Sequence, residues 1–165
     1  MSDIFRILCQ DITDAKRFGI CDDKPHQRAC IDTIDGRNWM TVIENDLRHD
    51  VTFTALDNCI EIRKDNGKME SRCEGIITYN YTIIFLEIKD RTGGANTWAK
   101  DADKQLKTFI ALIELKVDLG NFLSRKAYIS NRIQRGSKQN HPVRIKQFLE
   151  QTGYILRVNS SIVTE

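Results

Sequence analysis

At 165 residues the chain predicts one domain with a core large enough to fold without staples. With 41% hydrophobic and 29% charged residues, it has the composition of an ordinary globular protein. No apolar run approaches the roughly 20 residues of a membrane span, which argues against a membrane partner. Residues 1–6 lack the basic and apolar stretches of a secretory leader, so the expected location is cytoplasmic. The net charge of +2 excludes little, but its distribution is uneven. From residue 121 onward the bases are Arg125, Lys126, Arg132, Arg135, Lys138, Arg144, Lys146 and Arg157, against Glu150 and Glu165 alone. Such a third suits contact with phosphate as well as a solvated surface.

The first thirty or so residues are polar and irregular, with Lys24-Pro25 interrupting any helix. They hold Cys9, Cys21, His26 and Cys30, a ligand set for zinc without the Cys-x-x-Cys knuckle of a zinc site. With Cys59 and Cys73 the cysteine count is odd, and the expectation is reduced, buried thiols. Asp35-Gly36 then precedes residues 37–45, where Trp39, Val42 and Ile43 have the spacing of a short amphipathic helix with Glu44 near its end. Residues 51–63 read as a strand bent near Asp57-Asn58. Asn66-Gly67 marks a turn.

Residues 70–79 and 82–90 read as two more strands. A long helix is predicted over 97–119, capped by Thr97 and stopped by Gly120, with Trp98, Ala102, Leu106, Phe109, Ile110 and Ile113 on one face. A strand over 127–130, a helix from Pro142 to Gln151 ended by Gly153, and a strand over 154–158 complete the order. That order is a mixed α/β domain.

One feature carries chemistry. Residues two apart on a strand share a face, so Glu87 and Lys89 project together. If Asn80-Tyr81 is the turn, Tyr79 pairs with Thr82, Ile76 with Phe85, and Glu74 with Glu87, whose Cβ atoms then lie about 5 Å apart. Opposed carboxylates between apolar flanks such as Ile76, Ile84, Phe85 and Leu86 repel, unless something positive lies between them. A divalent cation beside Lys89 answers that requirement. Other chemistries find no footing: there is no Gly-rich phosphate loop, and His26, His49 and His141 stand beside no nucleophile motif. Trp39 and Trp98 read as core residues.

Acid, hairpin, Glu-x-Lys, helix and strand over residues 39–131 resemble the PD-(D/E)XK superfamily, the restriction-endonuclease-like nucleases, including its small bacterial members. The resemblance implies one domain over 1–165. Its restriction-endonuclease-like αβββαβ core, a mixed sheet flanked by helices, spans about 37–131, followed by a helix and strand over 141–159. It implies a magnesium- or manganese-dependent nuclease acting on nucleic acid, DNA foremost. Glu74, usually Asp in the family, Glu87 and Lys89 would be catalytic, with Glu74, Glu87, the Ile88 carbonyl and Glu44 around the metal. Asp57 is the other candidate for the first acid. Gln105 matches a glutamine of some nuclease branches, and Lys104 and Lys107 beside it would meet substrate phosphates. A catalytically inactive module binding nucleic acid or protein is the alternative. Loops, a homodimer or a partner subunit would supply specificity, since no extra domain for it is expected.

Overall fold

The computed structural model describes residues 7–22, 25, 27–70, 72–91, 95–133 and 141–165. Two sheets and two helices form a mixed α/β arrangement. The larger sheet contains β1 (Gln10–Thr13), β5 (Val51–Ala55), β6 (Gly75–Tyr79), β7 (Thr82–Lys89), β8 (Ser124–Asn131) and β9 (Ile155–Val158), in that spatial order. The β1–β5–β6–β7 half is antiparallel. The β7–β8–β9 half is parallel, crossed by α1 (Ala95–Lys116) and α2 (Pro142–Thr152). The smaller sheet has the order β10 (Ser161–Val163), β4 (Thr41–Glu44), β2 (Arg17–Cys21) and β3 (Cys30–Asp32). Among the described residues no helix is long and apolar enough to cross a membrane.

The larger sheet is covered on both faces. Ile76, Ile83, Phe85, Ala127 and Leu156 pack against Leu106, Phe109, Ile113 and Phe148 of the helices. Phe53, Ile77, Ile84 and Leu86 pack against Phe18, Ile20, Ile43 and Ile162 of the smaller sheet. This explains why β7 reads as a nearly unbroken apolar run: six consecutive residues, Ile83 to Ile88, are buried.

Several expectations are met. Both helices form where expected: α2 ends on Gly153 in the left-handed conformation (φ 78°), its N–H bonded to the Leu149 carbonyl, while α1 spans Ala95–Lys116, so Thr97 lies inside it rather than capping it and Gly120 lies beyond its end. The turn at Asn66-Gly67 closes an isolated bridge between Arg63 and Met69.

Others are corrected. Residues 37–45 form no α-helix: a 3-10 turn at Gly36–Asn38 leads into strand β4. The Trp39, Val42, Ile43 spacing had a different origin. Ile43 faces the inter-sheet core, while Trp39 lies over Gly19, where a Cβ would stand 2.0 Å from the indole, and donates to Asp32 from Nε1. The irregular N-terminal segment in fact supplies β1, β2 and β3. The strand expected over 51–63 stops at Ala55, where a turn with Ile60 N–H bonded to the Leu56 carbonyl takes over. Cys9 and Cys59 are joined in a disulfide, tying the segment before β1 to that turn, so the expectation of thiols throughout is wrong. Cys21 and Cys30 stand opposite each other across β2 and β3, and His26 of the supposed zinc set lies outside the described residues.

Gly75 has no room for a side chain. A Cβ there would lie 2.3 Å from the Phe53 ring and 2.8 Å from the Thr54 carbonyl oxygen. Since the carbonyl belongs to the neighbouring strand and cannot give way, Gly75→Ala should destabilise the fold by about 1–3 kcal/mol. Chemical denaturation measures this, and unchanged stability would contradict the packing described.

Candidate functional site

The β6–β7 register runs as the sequence implies: Tyr79 pairs with Thr82, Thr78 with Ile83, Ile76 with Phe85 and Gly75 with Leu86. The ladder ends there, so Glu74 precedes β6 and its backbone N–H donates to the Glu87 carboxylate. On its other side the Glu74 carbonyl accepts from Leu56 N–H at 3.1 Å. Its backbone is thereby held from both sides, which sets its carboxyl beside that of Glu87.

Glu87 is 5% exposed and its Oε1 lies 2.9 Å from Lys89 Nζ. Lys89 also donates to Gln105 Oε1 of α1 at 3.1 Å, and Gln105 Nε2 donates to the Arg72 carbonyl at 2.6 Å. Gln105 is thereby a brace joining the lysine to the β5–β6 connection. Arg72 in turn donates to the Ile60 carbonyl and lies 3.2 Å from Asp57. The structure thus brings together Glu74, Glu87, Lys89 and Gln105, with Asp57 at the margin.

The electrostatics of the cluster are severe. Burial, together with the charges of Asp22, Glu87 and Asp57 and a hydrogen bond with Asp22, pushes the Glu74 carboxyl up to about 8. Burial lifts Glu87 to about 6, with Lys89 offsetting part of the effect. One oxygen of Glu74, Oε1, is buried without a hydrogen-bond partner. The Cys73 thiol is pushed well up by burial, then by Glu87 and Glu74.

A divalent cation suits this donor set on that orphaned oxygen and on the repulsion between two fixed carboxyls. Among the described residues no group of three or more His, Cys, Asp and Glu side chains has metal-binding placement. A cation here would therefore take further oxygens from backbone, water or substrate, as magnesium does when held by one or two carboxylates.

Two predicted ligands stand elsewhere or contribute differently. Glu44 lies on β4, on the face opposite the core-facing Ile43, with Arg17 Nε 2.8 Å from its carboxylate. Its assignment to the metal followed from the mistaken helix and is corrected. The Ile88 side chain enters the inter-sheet core, so only its main chain is available beside Glu87. Lys104 and Lys107 share α1 with Gln105 but are turned about 100° and about 160° round the helix from it: Lys104 is exposed, and Lys107 is 2.7 Å from Asp103.

Two participants escaped sequence reading, Asp22 and Arg72. Asp22 directly follows β2, and an acid after the run Phe18–Cys21 is a signal only once that run is recognised as a strand. Several bases of the C-terminal third are paired, Arg125 with Glu114, Lys126 with Glu165 and Arg144 with Asp103, while Arg135 and Lys138 lie outside the described residues.

The raised Glu74 value sets a pH dependence. Folded protein binds more protons than unfolded protein between the ordinary value of 4.5 and about 8. The group's contribution is therefore present in full below the lower value and lost as pH rises through the upper one. Metal-free protein should lose on the order of a few kcal/mol between about pH 5 and about pH 8, and Glu74→Gln should flatten the profile. Thermal melts across that range check it; a wild-type profile that rises or stays level would contradict it.

Comparison with protein-family models, with curated proteins and with solved structures finds no match to this chain.

Proposed function

We propose that the chain is a metal-dependent nuclease hydrolysing phosphodiester bonds of nucleic acid, with DNA the foremost substrate. The observation that carries this reading is the pair of buried Glu87 and half-buried Glu74 held together beside Lys89, with the buried Oε1 of Glu74 left without a partner. The β5–β6–β7 meander, α1 and parallel β8 follow the βββαβ part of a restriction-endonuclease-like core, although strand β4 stands where that core's first helix was expected.

Glu74, Glu87 and the Ile88 carbonyl would hold magnesium or manganese. Bound there, the cation would supply Lewis-acid polarisation of the phosphate and a lowered pKa for water. The residues supply the rest. Glu87 anchors the Lys89 ammonium at 2.9 Å, and Gln105 fixes it from the other side. So placed, Lys89 orients an attacking water or meets the negative charge that develops on phosphate, with no reorganisation during reaction.

The second reading is a nuclease-like module without catalysis that binds nucleic acid or a protein partner. The closed Glu87–Lys89 ion pair favours it, because each group already satisfies the other.

Lys89→Ala separates the two. On the nuclease reading it should lower metal-dependent cleavage by about a hundredfold or more while the fold is retained. Cleavage assays of wild type and variant with magnesium and with manganese measure this. Undiminished cleavage by the variant would sink the site, and no cleavage by wild type on any DNA or RNA tested would support the binding module.

A further inference from the structure

Apart from the Glu74–Glu87 site, an open cleft lies between the two helices. It measures about 420 Å³ and is lined by Lys100, Lys104, Lys107 and Thr108 of α1, Arg144 of α2, and Asp103. Asp103, 7% exposed, fixes the walls: Arg144 Nη1 lies 2.8 Å from one of its oxygens and Lys107 Nζ 2.7 Å from the other. Lys107 also lies over the Phe148 ring at 5.6 Å. Arg144 Nε is buried and has no hydrogen-bond partner. Lys100 and Lys104 are exposed and, among the described residues, form no ion pair. Asp101, an acid on the same helix, is engaged with Arg91 at 3.3 Å. A single carboxylate among four cations leaves the cleft strongly positive.

This is more than a scatter of solvated lysines. A buried acid holding an arginine and a lysine from different helices presents fixed positive charge, and fixed donors lose little freedom on meeting an anion. From Lys100 to Lys107 the helix rises roughly 10 Å. That exceeds the rise of about 3.4 Å per phosphate along one strand of DNA, so the row can meet more than one phosphate. Lys104 is next to Gln105, whose amide holds Lys89. The cleft lysines and Gln105 thus share one helix, about 100° or more apart round its axis.

We infer that the α1–α2 cleft is a phosphate-backbone subsite, in which Lys100, Lys104, Lys107 and Arg144 hold a nucleic-acid strand whose scissile phosphate lies at Glu74 and Glu87. The inference rests on the nuclease reading for its purpose and on the cleft's own charges for its chemistry. Affinity there is sequence-independent and dominated by counterion release.

The test is fluorescence anisotropy of a short labelled single-stranded DNA, and of RNA of the same sequence, with chelator present across a salt series. The comparison is wild type against the paired change Lys100→Glu with Lys104→Glu, both at exposed positions where the fold tolerates charge. The variant should bind at least about tenfold more weakly at low salt, and its slope of log affinity against log salt should be shallower by about 2. Its manganese affinity, read by calorimetry, should match wild type, because the carboxylate site is untouched. Unchanged affinity and slope would overturn the cleft, as would polyglutamate competing as well as unlabelled DNA does. The two readings fail separately. Wild type that binds through the cleft without cleaving removes the nuclease and keeps the subsite. Wild type that cleaves while the variant binds equally well removes the subsite and keeps the nuclease.

Discussion

Two carboxyl groups held together, Glu87 buried and Glu74 with one oxygen buried, are the constraint around which one end of this molecule is arranged. Glu87 is placed by the central strand, and Glu74 by a backbone bonded on one side to Glu87 and on the other to Leu56. The surroundings meet the cost in stages: Lys89 offsets the charge of Glu87, Gln105 holds Lys89, and the Arg72 carbonyl holds Gln105. Among the described residues Glu74 forms no ion pair, and its carboxyl is pushed up further than that of Glu87. An arrangement this unfavourable in metal-free protein fits a site completed by a ligand, because a structural pair of this kind is replaced at little cost by apolar residues.

The layers explain how the site is kept rigid. Helices cover one face of the larger sheet and the smaller sheet covers the other, so β7 is fixed from both sides and Glu87 moves only if the core moves. Gly75 allows β5 and β6 to approach closely beside Glu74. The Cys9–Cys59 disulfide ties the start of the described chain to the turn just after Asp57. The smaller sheet also contributes to the site's electrostatics, since Asp22, at the end of β2, is hydrogen-bonded to Glu74.

What the sequence revealed follows from how local each signal is. The β6–β7 register was legible because Asn80, with φ of 47°, turns the chain within two residues, and every later pairing is then a matter of counting. Helix α1 was legible because one apolar stripe, Trp98 to Ile113, repeats over about four turns. The smaller sheet was not. Its strands are three to five residues long, too short for period two to stand out from period 3.6, and Trp39, Val42 and Ile43 fit a helix as well as they fit a turn and a strand. Misreading that segment carried Glu44 into the site and left Asp22 out of it. The disulfide was illegible for another reason: its cysteines are 50 residues apart, and only the tertiary fold brings them together.

The central claim is that Glu74 and Glu87 form a place for a divalent cation. Calorimetric titration of manganese into metal-free protein, with wild type beside Glu87→Gln, tests it most directly. The account predicts saturable binding by wild type and its loss in the variant. Absence of binding by wild type, or equal binding by both proteins, would contradict it.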